Sequence, residues 1–233
     1  KDVMVPCGIP YIFGTLDSSQ LNIMPVDNMM EKAGVTSLIG EVVAIDKAAK
    51  SARMADGEII EYQKLVLATG SIPVIPKWLK GGDKKNVFTV PKDRIYLDEM
   101  KEKLAGCRRV VVIGAGFIGV EFSDEFAKHG HEVVLVEKLP HILALAFDPE
   151  LSEKIDTLLK DRGVNVKTGT GVTEIVGEDT VKGVKLENGE VIDADAVVLS
   201  MGYLPNSGLA SESGIYVDES GFIAVDEYMR THE

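Results

Sequence analysis

Residues 108–137 read RRVVVIGAGFIGVEFSDEFAKHGHEVVLVE. An apolar run, a glycine turn, an amphipathic stretch and a second apolar run follow one another and close on a carboxylate. Gly114, Gly116 and Gly119 stand in the G-x-G-x-x-G spacing. The first glycine makes a tight turn, the second lets backbone approach a pyrophosphate, and the third lets helix and strand pack closely. A helix starting there turns its free N–H groups and the positive end of its dipole toward phosphate. Glu137 falls 18 residues after the third glycine, at the end of the second strand. A carboxylate at that place accepts both hydroxyls of an adenosine ribose and repels a 2′-phosphate. The stretch therefore predicts a dinucleotide site with NADH favoured. Lys138 and His141, close by in sequence, keep NADPH possible. The plain alternative is a glycine-rich packing turn.

The rest of the chain sets bounds. Its 233 residues are enough for one or two domains with a substantial core. A hydrophobic content of 45% with 27% charged residues is ordinary for a globular protein. The formal net charge of −12 argues against nucleic acid or an anionic membrane as partner, since both require a basic face. No apolar run approaches the roughly 20 residues of a membrane span. Cys7 and Cys107 are the only cysteines and make no disulfide framework, so a reducing, cytoplasmic location is expected. His129, His131, His141 and His232 lack metal-ligand spacing and read as surface residues, with no metal expected.

Along the chain, KDVMVPCGIPYIF (1–13) is broken by prolines into turns or a failed helix start. VDNMMEKA (26–33) reads as a short helix stopped by Gly34. Leu38–Ile45, Ser51–Met54, Glu58–Tyr62 and Lys64–Thr69 are β-like, with an Asp56-Gly57 turn, giving a meander and then a buried strand, LVLATG. A loop follows, then a polar helix over Pro91–Leu104. Beyond Glu137, Asp148 and Pro149 open a helix that Gly163 ends. Val164–Lys167 is a strand, and Val172–Val176, Val181–Leu186 and Val191–Ile192 form a second meander with an Asn188-Gly189 turn. Ala196–Ser200 is a buried strand, and a hairpin is expected around Glu219–Gly221. LVLATGSIP (65–73) and VVLSMGYLP (197–205) share one plan of strand, glycine and proline. Two related nucleotide-binding units, one interrupting the other, would account for it, although only the second has its glycine loop.

Four motifs, PCGIPY (6–11), ATGSIP (68–73), GAGFIG (114–119) and GYLPN (202–206), together resemble the flavin- and pyridine-nucleotide-dependent disulfide oxidoreductases. The resemblance covers essentially the whole chain. It implies an α/β fold, with a Rossmann-like NAD-binding domain inserted into an incomplete FAD-binding domain of related three-layer architecture. The expected segments are 1–90 (partial FAD-binding domain), 91–205 (NAD(H)-binding domain) and 206–233 (return to the FAD-binding domain). PCGIPY is similar to the single-cysteine branch, which includes coenzyme A disulfide reductases, NADH oxidases, NADH peroxidases and persulfide reductases. Pro10 and Ile12 stand where dithiol members carry a second cysteine. The family's first FAD phosphate loop, its later Gly-Asp segment and its C-terminal dimerisation domain have no counterpart in these residues. A longer, homodimeric parent enzyme is therefore expected, of which this chain alone would bind FAD poorly and not turn over.

The resemblance also assigns residues. Cys7 is implied as the redox centre beside the flavin, the plain alternative being a small buried hydrophobe. Cys107, with no motif around it, reads as structural. Phe117 is implied to cover the nicotinamide pocket, or else packs in the core; Ile118 belongs to the same GAGFIG turn. Glu121 is implied to orient the nicotinamide carboxamide or a flavin-side lysine, or else is a solvated helix charge. Gly202 is implied to let nicotinamide approach flavin. Val42 and Ala68-Thr69-Gly70 are implied as secondary FAD contacts, and Tyr11 either supports Cys7 or packs. The expected function is an NADH- and FAD-dependent oxidoreductase reducing a small sulfur substrate such as coenzyme A disulfide or polysulfide. The alternatives are an NADH oxidase or peroxidase acting on an oxygen species, and a non-catalytic nucleotide-binding or redox-sensing module.

Overall fold

A computed structural model describes residues 3–232. In chain order, β1 (Val3–Met4) and β2 (Ile23–Met24) pair antiparallel around short 3-10 turns at Pro6–Gly8, Pro10–Phe13 and Ser19–Asn22. α1 (Val26–Lys32) precedes the antiparallel meander β3 (Val42–Asp46), β4 (Ser51–Met54) and β5 (Ile59–Glu61). β6 (Ser71–Pro73), β7 (Val87–Phe88) and α2 (Arg94–Leu104) come next. They are followed by β8 (Arg109–Ile113), α3 (Phe117–Lys128), β9 (Glu132–Val136), α4 (Pro149–Asp161) and β10 (Asn165–Lys167). A second meander, β11 (Val172–Val176), β12 (Gly183–Leu186) and β13 (Val191–Asp193), leads to β14 (Ala196–Leu199), β15 (Tyr203–Pro205) and α5 (Gly208–Glu212).

The described residues divide into two compact units. One joins 26–72 to 203–232, and the other joins 3–25 to 73–202. The first is thus interrupted in sequence by the larger part of the second, at bounds other than the 1–90, 91–205 and 206–233 expected from sequence. The second unit is built on a five-stranded, all-parallel sheet in the order β10-β9-β8-β14-β7. Parallel strands need both faces covered, and β8 and β14 are accordingly almost entirely apolar and buried. Successive side chains alternate between faces. Val110, Val112, Ala196 and Val198 meet the helices and the N-terminal residues Ile9, Ile12 and Phe13. Val111, Ile113, Val197 and Leu199 meet the β11–β13 meander. Helices, sheet and meander make three layers.

Local chemistry fixes the helix starts. Asp93 caps α2 through the Ile95 and Tyr96 amides at 3.0 and 3.3 Å. Asp148 caps α4 through Leu151 N–H at 3.0 Å, with Pro149 in the first position. The other unit holds the β3–β5 meander and α5 around a small cluster of Ile45, Ala210 and Ile215, and also α1, which buries no residue.

Three expectations from sequence are corrected. Residues 64–69 form no strand, and Val66 is 85% exposed. The strand expected from Leu38 begins only at Val42. An apolar run becomes a strand only where a neighbour completes its hydrogen-bond ladder, and among the described residues no strand ladder includes 38–41 or 64–69. His131 also departs from the surface reading. Its Nδ1 lies 2.9 Å from the Cys107 carbonyl and its ring meets Phe126 edge-on at 5.7 Å. Burial pushes its pKa down. No described helix is long and apolar enough to cross a membrane.

Candidate functional site

The strand order reverses between β8 and β14: the chain proceeds outward through β9 and β10, then returns on the other side of β8. Ligands in open parallel sheets bind at the carboxyl ends of the strands flanking such a point. A cavity of about 720 Å³ lies there, lined by Ile113, Gly114 and Gly116 after β8 and by Ser200, Met201 and Gly202 after β14. Its far side is formed by Glu137, Lys138, Thr170 and Glu187, with Trp78 and Phe117 also lining it.

The three glycines differ as their spacing predicts. Gly114 has φ +97°, and a Cβ there would come within 2.7 Å of the Ser200 carbonyl. A Cβ on Gly119 would collide with the Gly114 carbonyl at 1.9 Å, so the helix can approach the strand only through glycine. At Gly116 a Cβ would meet nothing within 4 Å, so this glycine leaves room for something other than protein. Gly116 also starts α3 without any side-chain cap, leaving the first helical amides available. Ile118 lines the cavity beside them. Ser200 locks the turn: its hydroxyl lies 2.9 Å from the Ile113 carbonyl and 2.6 Å from that of Gly114.

Glu137 bridges the turn and the segment after β9. One carboxylate oxygen accepts from Ala115 N–H at 2.7 Å and the other from Leu139 N–H at 2.8 Å. A carboxylate has about four acceptor sites, so two remain for a ligand. The buried hydroxyl of Thr170 has no hydrogen-bond partner among the described residues, and it lines both this cavity and an adjoining hollow. An uncapped helix start, an open glycine, a held carboxylate and an orphaned hydroxyl suit a dinucleotide.

Phe117 is 55% exposed on the cavity wall and meets Phe147 edge-on at 5.7 Å, so it is not a core residue. Glu121, one turn further along α3, is half-buried without a partner among the described residues, and burial alone pushes its pKa up. Gly202 has φ +102° and no neighbour within 4 Å of a Cβ position.

Cys7 is exposed in the Pro6–Gly8 turn, in the same unit as the cavity. Asn22 shapes that turn. It is buried, donates from Nδ2 to the Val5 carbonyl at 3.1 Å, and would be 1.9 Å from a Cβ on Gly8. Tyr11 is exposed. Downstream, Phe13 packs on Phe122 and Phe126 of α3, and Thr15 bonds to Glu125 of the same helix. Cys107 differs: it is buried, its Sγ is 3.5 Å from the Lys103 carbonyl, and burial first, then Asp195, pushes its thiol pKa up. A thiol held protonated in this way is a poor nucleophile.

A family model for pyridine nucleotide-disulphide oxidoreductases matches residues 13–233. The chain belongs to that family.

Among curated members, the CoA-dependent NAD(P)H sulfur oxidoreductase of Pyrococcus abyssi is 35% identical over 231 residues, 97% of this chain and 51% of that protein. Rhodocoxin reductase of Rhodococcus erythropolis is 34% identical over 232 residues, covering 97% and 52% respectively. A solved NAD-dependent persulfide reductase from A. fulgidus has a TM-score of 0.89 at 29% identity, covering 99% of this chain and 44% of that one. The chain spans about half the length of the curated relatives it matches.

The positions that the sequence resemblance assigned to flavin lie in the other unit. Val42 begins β3, opposite Met54. Ala68, Thr69 and Gly70 form an exposed turn, with Gly70 at φ +73° and open space at its Cβ position. Asn206 fastens this turn: its Nδ2 donates to the Thr69 carbonyl at 3.1 Å and its N–H to the Gly70 carbonyl at 2.9 Å. The two similar motifs therefore meet through Asn206. Sequence reasoning missed Asn206, Ser200, Trp78, Thr170 and Asn22 as site residues. Asn206 and Ser200 stand within or beside quoted motifs and could have been suspected; Asn22 and Thr170 stand in none.

Proposed function

We propose that this chain is the nicotinamide-binding and cysteine-bearing part of an NADH-dependent flavoprotein that reduces a small sulfur substrate. The carrying observation is the cavity at the strand reversal, with Glu137 held across its glycine turn, in the same unit as an exposed Cys7. The uncapped α3 start would hold the pyrophosphate, Glu137 the adenosine ribose, and Phe117 and Gly202 would border the nicotinamide end. FAD, when bound, supplies the two-electron relay between nicotinamide and sulfur. Ala68-Thr69-Gly70 and Val42 would contribute to its binding together with residues outside this chain.

The chain's own chemistry is then confined to Cys7. Its thiolate attacks one sulfur of R–S–S–R′, forming a Cys7–S–S–R bond and releasing R′–S⁻. Two electrons originating from NADH, with protons, break that bond, release R–SH and restore the thiol. The sum is R–S–S–R′ + NADH + H⁺ → R–SH + R′–SH + NAD⁺. Sulfur is preferred to oxygen as acceptor because of the PCGIPY context and the similarity to proteins named for sulfur and persulfide reduction.

The test is stopped-flow reduction by NADH of the full-length flavoprotein, reoxidised in turn by disulfide, polysulfide, oxygen or peroxide. Fast reoxidation by sulfur compounds, lost in Cys7→Ser, is expected. Unchanged sulfur reduction in Cys7→Ser, or fast reoxidation by oxygen or peroxide alone, overturns the sulfur reading.

A further inference from the structure

The charges at the far side of the dinucleotide cavity are arranged as pairs. Lys138 directly follows Glu137 and is the basic residue lining the main cavity. An ammonium at that place is the obvious counter-charge for a 2′-phosphate, and its presence beside Glu137 gives the sequence two opposite specificity signals. The structure resolves the conflict with a third residue. Lys138 Nζ lies 3.2 Å from Oε1 of Glu187, which lines the same cavity. In the adjoining hollow, Lys167 is likewise taken up by Glu190, at 2.9 Å.

We propose that Glu187 is a specificity-determining residue that engages Lys138 and so withholds its charge from a 2′-phosphate, making the cavity selective for NADH over NADPH. This rests on the reading of the cavity as an NADH site.

Glu187 is well placed for the task because it cannot easily turn away. Its second carboxylate oxygen accepts from Gly171 N–H at 3.1 Å, and its own N–H donates to the Gly171 carbonyl at 2.9 Å. A Cβ on Gly171 would stand 2.9 Å from the carboxylate, so glycine there is what admits the contact. The Gly171 amide and then Lys138 hold the Glu187 carboxyl below its ordinary pKa. An exposed ion pair adds little to stability. Its effect on selection is different: a fixed carboxylate both occupies the lysine and repels a doubly charged phosphate, a penalty against the wrong ligand.

Trp78 is the sole tryptophan and lines the cavity, so its fluorescence reports nucleotide binding by the 233-residue chain without flavin or turnover. Titrations with NADH and with NADPH compare the unmodified chain, Glu187→Gln, and Glu187→Gln combined with Lys138→Ala. Glu187→Gln retains an acceptor for Gly171, and Glu187→Ala serves as a second variant. The affinity ratio of NADPH to NADH is expected to rise about tenfold in both single variants, corresponding to about 1.4 kcal/mol, and to fall back in the double variant. An unmoved ratio with NADH binding intact, or a gain that survives the loss of Lys138, overturns the role of Glu187 alone. Absence of NADH binding in the unmodified chain overturns the NADH reading and this inference with it.

Discussion

Thr15 and Glu125, 110 residues apart in sequence, are joined by two hydrogen bonds of 2.7 Å, from the Thr15 amide and hydroxyl to one carboxylate oxygen. The other oxygen accepts from Lys128 at 2.6 Å, and Glu125 is only 1% exposed. A Cβ on Gly14 would stand 2.4 Å from the Glu125 carbonyl, so the neighbouring glycine is part of the joint. The segment that follows Cys7 is thereby fixed to the helix that starts at the glycine turn. Glu125→Ala is expected to destabilise the chain by about 3 kcal/mol, through the lost charge-assisted hydrogen bonds and the Thr15 amide and hydroxyl left without their acceptor, Lys128 keeping its pairing with Asp124. Urea unfolding measures it, and a loss below about 0.5 kcal/mol, the size of an ordinary surface change, sinks the claim.

The second and third glycines of the fingerprint should fail in different ways. Gly119→Ala drives a methyl into the Gly114 carbonyl and is expected to cost about 3 kcal/mol of stability. Gly116→Ala meets no protein atom, so its stability should change by no more than about 0.5 kcal/mol. Its NADH affinity should nevertheless fall about tenfold or more, because the methyl enters the space proposed for the pyrophosphate. Thermal denaturation and Trp78 titration separate the two effects. Equal behaviour of the two variants contradicts the division of labour.

Glu137→Ala removes the acceptor of the Ala115 and Leu139 amides together with the proposed ribose contact. NADH affinity is expected to drop roughly ten- to a hundredfold, the loss of one or two charge-assisted hydrogen bonds. Calorimetric titration with NADH decides it, and an unchanged Kd removes Glu137 from the site.

Asp195 ties the end of the meander to the start of β8. It accepts from the Arg108 and Arg109 amides at 3.1 and 2.8 Å and pairs with the Arg109 guanidinium at 2.8 Å. These contacts, the Arg109 side chain first, lower its pKa from 3.8 to about 2. A carboxyl whose folded pKa is depressed binds protons more readily when unfolded. Its stabilisation is therefore present above about pH 4 and is lost as pH falls toward 2. Asp195→Asn should lower stability at neutral pH and flatten the stability–pH curve in that acid window. Acid unfolding followed by circular dichroism gives the comparison, and parallel curves for the two proteins would contradict it.

The parallel-sheet unit was legible because its signals are local. Apolar runs at 109–113 and 196–199, glycines at fixed offsets and capping residues at 93 and 148 each act within a few positions of themselves. Residues 64–69 carry the same kind of apolar run, yet they form no strand, since strand formation depends on a partner that no local pattern supplies. His131 looked like a surface residue for a similar reason. Its environment comes from Phe126 and the Cys107 carbonyl, 24 residues away, and no spacing announces it. In the candidate site the fingerprint gave Gly114, Gly116, Gly119 and Glu137. Ser200 arrives from after β14, Thr170 from between β10 and β11 and Glu187 from the meander, and only folding brings them to the same cavity.

Residues 3–25 belong with 73–202, although the sequence between them goes elsewhere. Phe13 leans on Phe122 and Phe126, and Ile9 and Ile12 lie in the core beneath the parallel sheet. A chimera that transplants 73–202 into another oxidoreductase would thus expose an apolar floor unless the N-terminal segment travelled with it. On the proposed function, coenzyme preference and the reactive sulfur are heritable together, as one module assembled from two pieces of chain.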